Sequence, residues 1–169
     1  MELGPNDNRG AFPVDRPTEA LLRDHKMVRK LVEMYLNTDS MEVKMEAAPQ
    51  ILMLLEMHSQ LEEGVFYPAV RSLDESMIGH FEQEHQKTDD LLQSLKTMSL
   101  DDPQAEQMMR QLIDMTMHHI EEEEQQFFPK LQQSGMDLTQ VGMQMQAFEA
   151  NLVHMQAQQA ARQQDMRRH

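Results

Sequence analysis

The sequence predicts an all-α protein: an up-down antiparallel four-helix bundle followed by an additional C-terminal helix. Glycine is scarce, with 6 in 169 residues, whereas Met, Gln, Glu and Leu, which favour helix, are abundant. No stretch alternates apolar and polar residues as a half-buried strand would. Apolar residues recur instead at helical spacing, in segments separated by short turn signals.

These signals divide the chain into three parts. Residues 1–16 contain several Pro, Gly and Asn residues and are expected to form a flexible leader. Residues 17–134 are assigned to the bundle, because four helical segments of similar length follow one another there. Residues 135–169 are expected to form an amphipathic C-terminal helix and a polar tail.

The first two helices have clear beginnings. The first is predicted from Pro17 to about Leu36. Ser40 can then cap a second helix that runs from about Met41 to Tyr67. Pro49 lies inside this second helix, and we expect it to kink or split the helix because proline lacks a backbone N–H.

Start and stop signals also delimit the remaining helices. Asp74 can cap a third helix that continues to about Lys96. The pair Asp102–Pro103 combines a cap with a first-turn proline and predicts the start of a fourth helix, which continues to about Phe128. Ser134–Gly135 is a stop signal. A fifth helix is predicted from about Leu138 to Arg162.

One eleven-residue pattern occurs twice, at 58–68 and at 119–129. Both copies read H-x-x-x-E-E-x-x-F-aromatic-P. Each copy places a histidine and a glutamate four residues apart, which is one face of a helix. Two copies closed by the same aromatic-Pro pair indicate a single metal site built twice.

The positions of four histidines support this interpretation. His25, His58, His85 and His119 each fall on a different predicted helix, roughly 20–25 Å from the same end of the bundle at the rise of an α-helix. His25 and His58 are 33 residues apart, and His85 and His119 are 34 apart. The bundle is therefore interpreted as a duplicated helical hairpin whose histidines converge at one level.

Four imidazoles and two carboxylates form a ligand set of nitrogen and oxygen. A lone histidine on an apolar helix face is usually an ordinary core residue, but burying six such groups without a cation would be costly. A closed zinc site needs only four ligands, so six in two matched halves suggest two metal ions bridged by the glutamates. Iron suits such a site in a redox role, with manganese and zinc as alternatives, and an open position would admit dioxygen. The predicted ligands are His25, His58, Glu62, His85, His119 and Glu123.

Charge and composition exclude several other classes of function. The net charge is −14 and cysteine is absent, so thiolate sites are excluded and binding to nucleic acid or to anionic membranes is not expected. The N-terminus carries no secretory signal pattern, and no stretch is long and apolar enough to span a bilayer. We expect a cytoplasmic protein.

The order of these residues resembles the hemerythrin-like family, also called the HHE cation-binding domain. His25, then His58-x-x-x-Glu62, then His85, then His119-x-x-x-Glu123 agree with its pattern over roughly residues 18–133. The resemblance implies a four-helix bundle with two non-haem iron ions, bridged by carboxylates and by an oxo or hydroxo group. It also implies reversible dioxygen binding, oxygen or iron sensing, or reaction with peroxide or nitric oxide. Whether the protein is an enzyme is left open.

The sequence departs from the respiratory hemerythrins at one position. Those proteins carry a further histidine four residues before the one that matches His85, and Phe81 stands there in this chain. His80 points about 140° away from His85 on an ideal helix, so it becomes a ligand only if a π-bulge realigns it. A missing imidazole would leave a vacancy or an oxygen ligand, which favours reactivity over reversible carriage.

Several other residues are secondary candidates. Glu82 and His85 together resemble a ferritin-like Glu-x-x-His pair. Tyr35 is either a core residue, a phenolate ligand or a hydrogen-bond donor near the site, and Asp89 either orients His85 or faces solvent. Further glutamates beside the motifs are expected to lie mainly in solvent, with one of them supporting a ligand; they are Glu63, Glu121, Glu122 and Glu124.

The fifth helix carries a narrow apolar seam with 3-4 spacing. The seam is expected either to dock on its own bundle or to pair with a second copy, forming a homodimer, or with a partner protein. Two function classes follow. One is a di-iron protein acting on dioxygen or another small oxidant, and the other is a metal-dependent interaction module in which iron orders the bundle and the fifth helix mediates binding. The seam residues are Leu138, Val141, Met145, Phe148, Leu152 and Met155.

Overall fold

A computed structural model describes residues 12–168, and this part of the chain is helical and contains no strand. The all-helical class predicted from the sequence is therefore confirmed. Residues 1–11 of the expected leader lie outside the described part, so the division of the chain into three parts stays a prediction. The helices are α1 (Thr18–Leu36); α2, made of Met41–Leu61, a π-turn Glu62–Phe66 and Tyr67–Val70; α3 (Glu75–Lys96); α4, made of Pro103–Glu122, a π-turn Glu123–Phe127 and Phe128–Ser134; and α5 (Thr139–Arg168).

The predicted caps begin three of these helices. Ser40, Asp74 and Asp102 each accept a hydrogen bond from a backbone N–H in the first turn of α2, α3 and α4, at 3.4, 3.0 and 2.8 Å. Each cap satisfies a donor that has no partner inside its own helix. The starts of these helices are therefore fixed by local sequence, as predicted.

Pro49 does not split α2, contrary to one of the two expected outcomes. The segment Met41–Leu61 stays α-helical through it. The neighbouring residues Ala47, Ala48 and Ile51 are fully buried. Burial of this face stabilises the helix by more than the one backbone hydrogen bond that the proline removes.

The core forms two clusters separated by a layer of histidines. Helix α1 packs along α2 and α3 packs along α4, while α2 also contacts α3 and α1 contacts α4. The first, which we call the Tyr35 cluster, contains Tyr35 and Leu92. The second, the Phe81 cluster, contains Phe81 and Phe127. His85 lies between these clusters, because Phe81 precedes it and Leu92 follows it along α3. Apolar side chains therefore shield this layer from above and below.

Two π-turns were not predicted, and they interrupt α2 and α4 directly after the paired motifs. The backbone N–H of Tyr67 bonds to the carbonyl of Glu62, five residues back, and Phe128 bonds to Glu123 in the same way. A proline follows in each copy and can supply no N–H of its own, so the helix widens by one residue just before it. In an α-helix a residue five positions on points about 140° away. The wider turn brings Tyr67 and Phe128 back toward the face of the glutamates.

Helix α5 docks its first half on the bundle. Val141 and Met145 are buried, and the ring of Phe148 lies against Gly64 on α2. From residue 150 onward the side chains are mostly exposed, including Met155 of the predicted seam. The first half of the seam thus takes the expected place on its own bundle, and α5 extends six residues beyond its predicted end. Among residues 12–168, no helix is both long and apolar enough to cross a membrane.

Residues just before α1 complete this docking site. A Cβ added at Gly142 would lie 1.8 Å from the backbone carbonyl oxygen of Val14, and Gln146 donates a hydrogen bond to the carbonyl of Phe12 at 3.0 Å. The approach leaves no room for a side chain at position 142. The backbone of the pre-helical segment is therefore in direct contact with α5.

We expect Gly142→Ala to destabilise the protein by about 1–3 kcal/mol, because the added methyl group would collide with backbone atoms that cannot rotate away. Urea unfolding followed by circular dichroism would measure this. Gly79→Ala on α3 is the matched control, since no described atom outside the adjacent backbone of its own helix and its chain neighbours lies within 4 Å of its added Cβ. It should be neutral or stabilising by up to about 1 kcal/mol. Equal stability of the two variants would contradict the contact.

Candidate metal centre

The six residues singled out by spacing lie together in the histidine layer. None of the four histidines is more than 5% exposed, and both glutamates are fully buried. Every helix of the bundle contributes: α1 one histidine, α3 one histidine, and α2 and α4 one histidine and one glutamate each. The convergence expected from the sequence is thus seen in the structure.

The potential ligand atoms form two groups, each with atoms within 4.8 Å of one another. The first group is His25, His58 and Glu123, and the second is Glu62, His85 and His119. In the first, the Nε2 atoms of the histidines are 3.2 Å apart, and in the second they are 3.0 Å apart. Each group offers two imidazoles and one carboxylate, a combination that transition metals bind.

Each glutamate contacts histidines of both groups. Oε1 of Glu62 lies 3.0 Å from Nε2 of His58 and 3.3 Å from Nε2 of His85. Glu123 places Oε1 3.2 Å from Nε2 of His25 and Oε2 3.4 Å from Nε2 of His119. The two carboxylates therefore lie between the groups, where each could bridge two ions.

The electrostatics of the layer favour a cation. Burial alone would lower the pKa of His58 and His119, but neighbouring carboxylates outweigh it and raise both pKa values well above the usual range. Burial would raise the pKa of Glu62, yet the imidazoles around it hold that pKa well below its usual range. Among the described residues, both oxygens of Glu62 and Oε1 of Glu123 are buried without a hydrogen-bond partner. Such oxygens are costly unless an ion occupies the site, so the residues present fit a metal centre.

Two carboxylates on neighbouring helices hold the outer nitrogens of two histidines. Nδ1 of His58 lies 3.0 Å from Oδ2 of Asp24, and Nδ1 of His119 lies 3.0 Å from Oε1 of Glu84. Such bonds fix the ring and its tautomer and make Nε2 a better ligand. Both acids directly precede a site histidine in sequence, and this adjacency is the signal that sequence reasoning missed.

The other two histidines face acids that follow the site glutamates. Oε1 of Glu63 lies 3.3 Å from Nδ1 of His85, and Oε1 of Glu124 lies 3.9 Å from Nδ1 of His25. Glu124 is itself paired with Arg29. Glu63 is exposed, as expected of the glutamates beside the motifs, although its carboxylate reaches His85. Glu124 is only partly exposed and lies beside His25, in the supporting position that was expected of one of these glutamates.

A tyrosine hydroxyl also enters the site. Tyr67 is fully buried and donates a hydrogen bond to Oε2 of Glu123 at 2.6 Å. Its oxygen lies 3.1 Å from Nε2 of His119 and 3.4 Å from Nε2 of His85. Burial and the nearby carboxylates raise the pKa of this hydroxyl well above its usual range. The sequence identified Tyr67 only as part of the aromatic-Pro closure, because the π-turn that redirects it was not predicted.

A small cavity of about 30 Å³ opens beside three of the histidines. His58, His85 and His119 line one side, and Leu92 and Leu112 are among the apolar residues of the other. A space of this size holds about two probe spheres, enough for a water or a diatomic molecule. The cavity gives a small molecule a place next to the ligand atoms.

The secondary candidates are not part of the two groups of ligand atoms, and for Tyr35 and Asp89 the structure agrees with one of the stated alternatives, a core residue and a solvent-exposed residue. Tyr35 lies in the core, in the Tyr35 cluster, where Nζ of Lys44 lies 5.7 Å from the centre of its ring. Glu82 pairs with Arg71 at 2.8 Å rather than with the site. Asp89 is exposed and accepts a hydrogen bond from Gln93, so Glu63 and not Asp89 faces His85. These three residues follow the helical spacing of the histidines but lie at the wrong height or on the wrong face.

His80 also stays outside the buried site. Helix α3 is a regular α-helix at this point, so no π-bulge realigns it. Its side chain is half exposed and lies 3.3 Å from Glu84 and 3.1 Å from Glu122, a group at the surface. Phe81 stands inward in its place, fully buried, with its ring edge-to-face on His119 at 5.0 Å.

Comparison with known proteins gives two matches. The family model described as Hemerythrin HHE cation binding domain matches residues 16–131. A DNA nickase of Nostoc sp. (strain PCC 7120) is 30% identical over 129 residues, which are 75% of this chain. The chain spans only 36% of that relative's length. No solved structure matches the chain.

Proposed function

Since the chain belongs to the hemerythrin HHE cation-binding family, we propose that it is a non-haem di-iron protein. In this proposal it binds or reacts with dioxygen or a related small molecule, such as peroxide or nitric oxide, as a carrier, a sensor or an oxidoreductase. The observation that carries the proposal is the position of Glu62 and Glu123. Each carboxylate faces imidazoles of both histidine groups. Both oxygens of Glu62 and Oε1 of Glu123 are buried and have no hydrogen-bond partner within the described part of the chain.

The proposal gives each half of the ligand set one ion. His25 and His58 would hold one ion, His85 and His119 the other, and the two glutamates would bridge them. Asp24 and Glu84 orient the rings through Nδ1, which leaves each Nε2 turned toward the centre. Iron bound here would supply electrons to a small oxidant or hold it reversibly, and the two apolar core clusters exclude bulk water from the site.

We also propose a bundle topology and a cellular location for this protein. We expect α1 to α4 to run alternately up and down, because short connections join them and the histidines meet at one level. Residues 17–134 would then be the metal-binding bundle. The expected location is the cytoplasm.

The test is iron loading followed by exposure to oxidant. Reduced, iron-loaded protein should contain about two irons per chain and change its absorption when mixed with dioxygen, peroxide or nitric oxide. Leu92→Phe should bind the same iron but react at least several-fold more slowly, because the larger ring fills the cavity beside the histidines. Leu92→Met, which conserves volume, is the control. One zinc per chain, or iron inert to all three molecules, would refute the proposal.

A second candidate function is supported by a charged path from the site to α5. Asp24 contacts His58 on one side, and Arg23 lies 3.3 Å from Asp24 on the other. Arg23 also donates a hydrogen bond at 2.7 Å to Glu149, a buried residue of α5. Metal binding at the site would change the stability of α5 through these contacts. An interaction module that is ordered by metal requires such a coupling.

Hydrogen exchange would test this alternative. Metal loading should increase amide protection in α5, and Arg23→Met should remove that increase while iron content stays the same. Arg16→Met is the control, since the ion pair that Arg16 makes within residues 12–168 is with exposed Glu19, away from the site. Metal-dependent self-association, measured by analytical ultracentrifugation, would add a homodimer to this function. Unchanged protection of α5 on loading would exclude the coupling.

The likeness to a DNA nickase does not extend the proposal to DNA. The matched segment is about a third of that relative, and a net charge of −14 opposes contact with a phosphate backbone. The proposed partner therefore remains a small oxidant. Neither nucleic acid nor a membrane is expected to bind.

A further inference from the structure

The two halves of the site differ at one position, and this difference rests on Tyr67. The second copy of the repeated motif has Phe128 at the position that Tyr67 occupies in the first copy. The Phe128 ring stacks on His25, with ring centres 6.0 Å apart and planes 9° apart. Phe128 offers no ligand atom. Tyr67 instead places a hydroxyl oxygen among the ligand atoms of the other half. A duplicated hairpin has therefore produced an unsymmetrical centre.

We propose that Tyr67 is a fourth protein ligand of the ion held by Glu62, His85 and His119, so that the two metal positions are chemically different. This inference rests on the proposed function, because it requires a metal in the site. It assigns a phenolate oxygen to one ion only. The ion held by His25, His58 and Glu123 has no such donor.

The distances are those of atoms that share one ion. The Tyr67 oxygen and the Nε2 atoms of His85 and His119 lie 3.0, 3.1 and 3.4 Å from one another. For metal–ligand bonds of about 2.1 Å, neighbouring ligand atoms are about 3.0 Å apart in an octahedral site and about 3.4 Å apart in a tetrahedral one. Three atoms at this spacing around a common point can bind one ion with little movement.

The surroundings hold the phenol in this position. The Tyr67 ring packs on Phe81 at 5.9 Å with planes 27° apart, and the π-turn before Pro68 aims the side chain inward. Without metal, the hydroxyl proton is donated to Oε2 of Glu123. When the oxygen bonds an ion, this proton leaves to solvent, and one anionic oxygen donor replaces one neutral hydroxyl. An anionic oxygen favours a ferric over a ferrous ion at this position.

A phenolate bound to ferric iron absorbs visible light through ligand-to-metal charge transfer, and carboxylate and imidazole ligands do not produce that tyrosinate signature. The chain has two tyrosines, Tyr35 and Tyr67, and Tyr35 lies in the other core cluster. The origin of the signal can therefore be assigned by substitution. The readouts are iron content by mass spectrometry, visible absorption, and resonance Raman bands of tyrosinate excited within that absorption.

The experiment uses the full chain loaded with ferrous iron and oxidised in air. We expect about two irons per chain, tyrosinate Raman bands in the wild type and in Tyr35→Phe, and complete loss of these bands in Tyr67→Phe with its iron retained. Should Tyr67→Phe fail to fold, Tyr35→Phe decides alone, because Tyr67 is then the remaining tyrosine. Two irons per chain without tyrosinate bands, or bands lost in Tyr35→Phe, would overturn the inference and leave the proposed function intact. A chain that takes up no metal would remove both.

Discussion

Replacing Glu62 or Glu123 with glutamine is expected to reduce bound iron from about two to below one per chain. Glu62 and Glu123 are fully buried and each faces imidazoles of both groups. A neutral amide binds iron more weakly than a carboxylate and removes a negative charge that offsets two cations. Iron analysis after loading and gel filtration of Glu62→Gln and Glu123→Gln would measure the loss.

Glu62→Gln has a second expected effect, which is measured in the metal-free protein. Burial lowers the pKa of His58, and the carboxylates of Glu62 and Asp24 raise it above the usual range. Removing the charge of Glu62 should therefore lower the pKa of His58 in the metal-free protein, which an NMR titration of the imidazole would detect. Glu121→Gln, at an exposed position of the same helix, is the control for Glu123→Gln. If the control and the site variants retain equal iron, the glutamates are not ligands.

Removing metal is expected to lower the melting temperature by about 8–16 °C. An ion present at about a thousand times its Kd stabilises the folded state by roughly 4 kcal/mol, and each kcal/mol shifts the melting temperature of a chain of this size by about 2–4 °C. The physical cause is the burial of carboxylate oxygens that have no hydrogen-bond partner among residues 12–168. Thermal unfolding followed by circular dichroism before and after chelation would measure the shift.

Two controls separate this effect from general consequences of salt. Magnesium chloride at equal ionic strength should leave the melting temperature of the chelated protein almost unchanged, because magnesium prefers oxygen ligands and avoids imidazole. Glu123→Gln should lose most of the metal-dependent shift. A melting temperature that is the same with and without iron would show that the buried acids are satisfied without a cation.

Local sequence was sufficient for the starts of the helices and for the six central residues. The caps at Asp74 and Asp102 accept backbone N–H groups from the first turn of their helices, because capping depends only on neighbouring residues. The histidine spacing correctly predicted that four imidazoles meet, since the rise of a helix converts residue number directly into height. The identity of the family followed from the order of these residues and is confirmed.

Spacing along a single helix did not identify the residues that support the histidines. Tyr35 and Asp89 were chosen by periodicity along single helices, but periodicity does not indicate which neighbouring helix a side chain meets. The acids that support the histidines, Asp24 and Glu84, contact rings on a different helix from their own. Their role depends on how two helices pack, and a single helix read alone cannot show it.

By itself, the sequence determined the helical class, the position of each helix start and the six residues of the buried layer. Only the tertiary structure decided which glutamate faces which histidines, which half of α5 is covered, and that Tyr67 rather than Tyr35 reaches the site. The physical reason is that helical periodicity and capping act over a few residues. The contacts across helices depend on the packing of the whole bundle, and a π-turn redirects a side chain away from the direction that regular helical spacing gives.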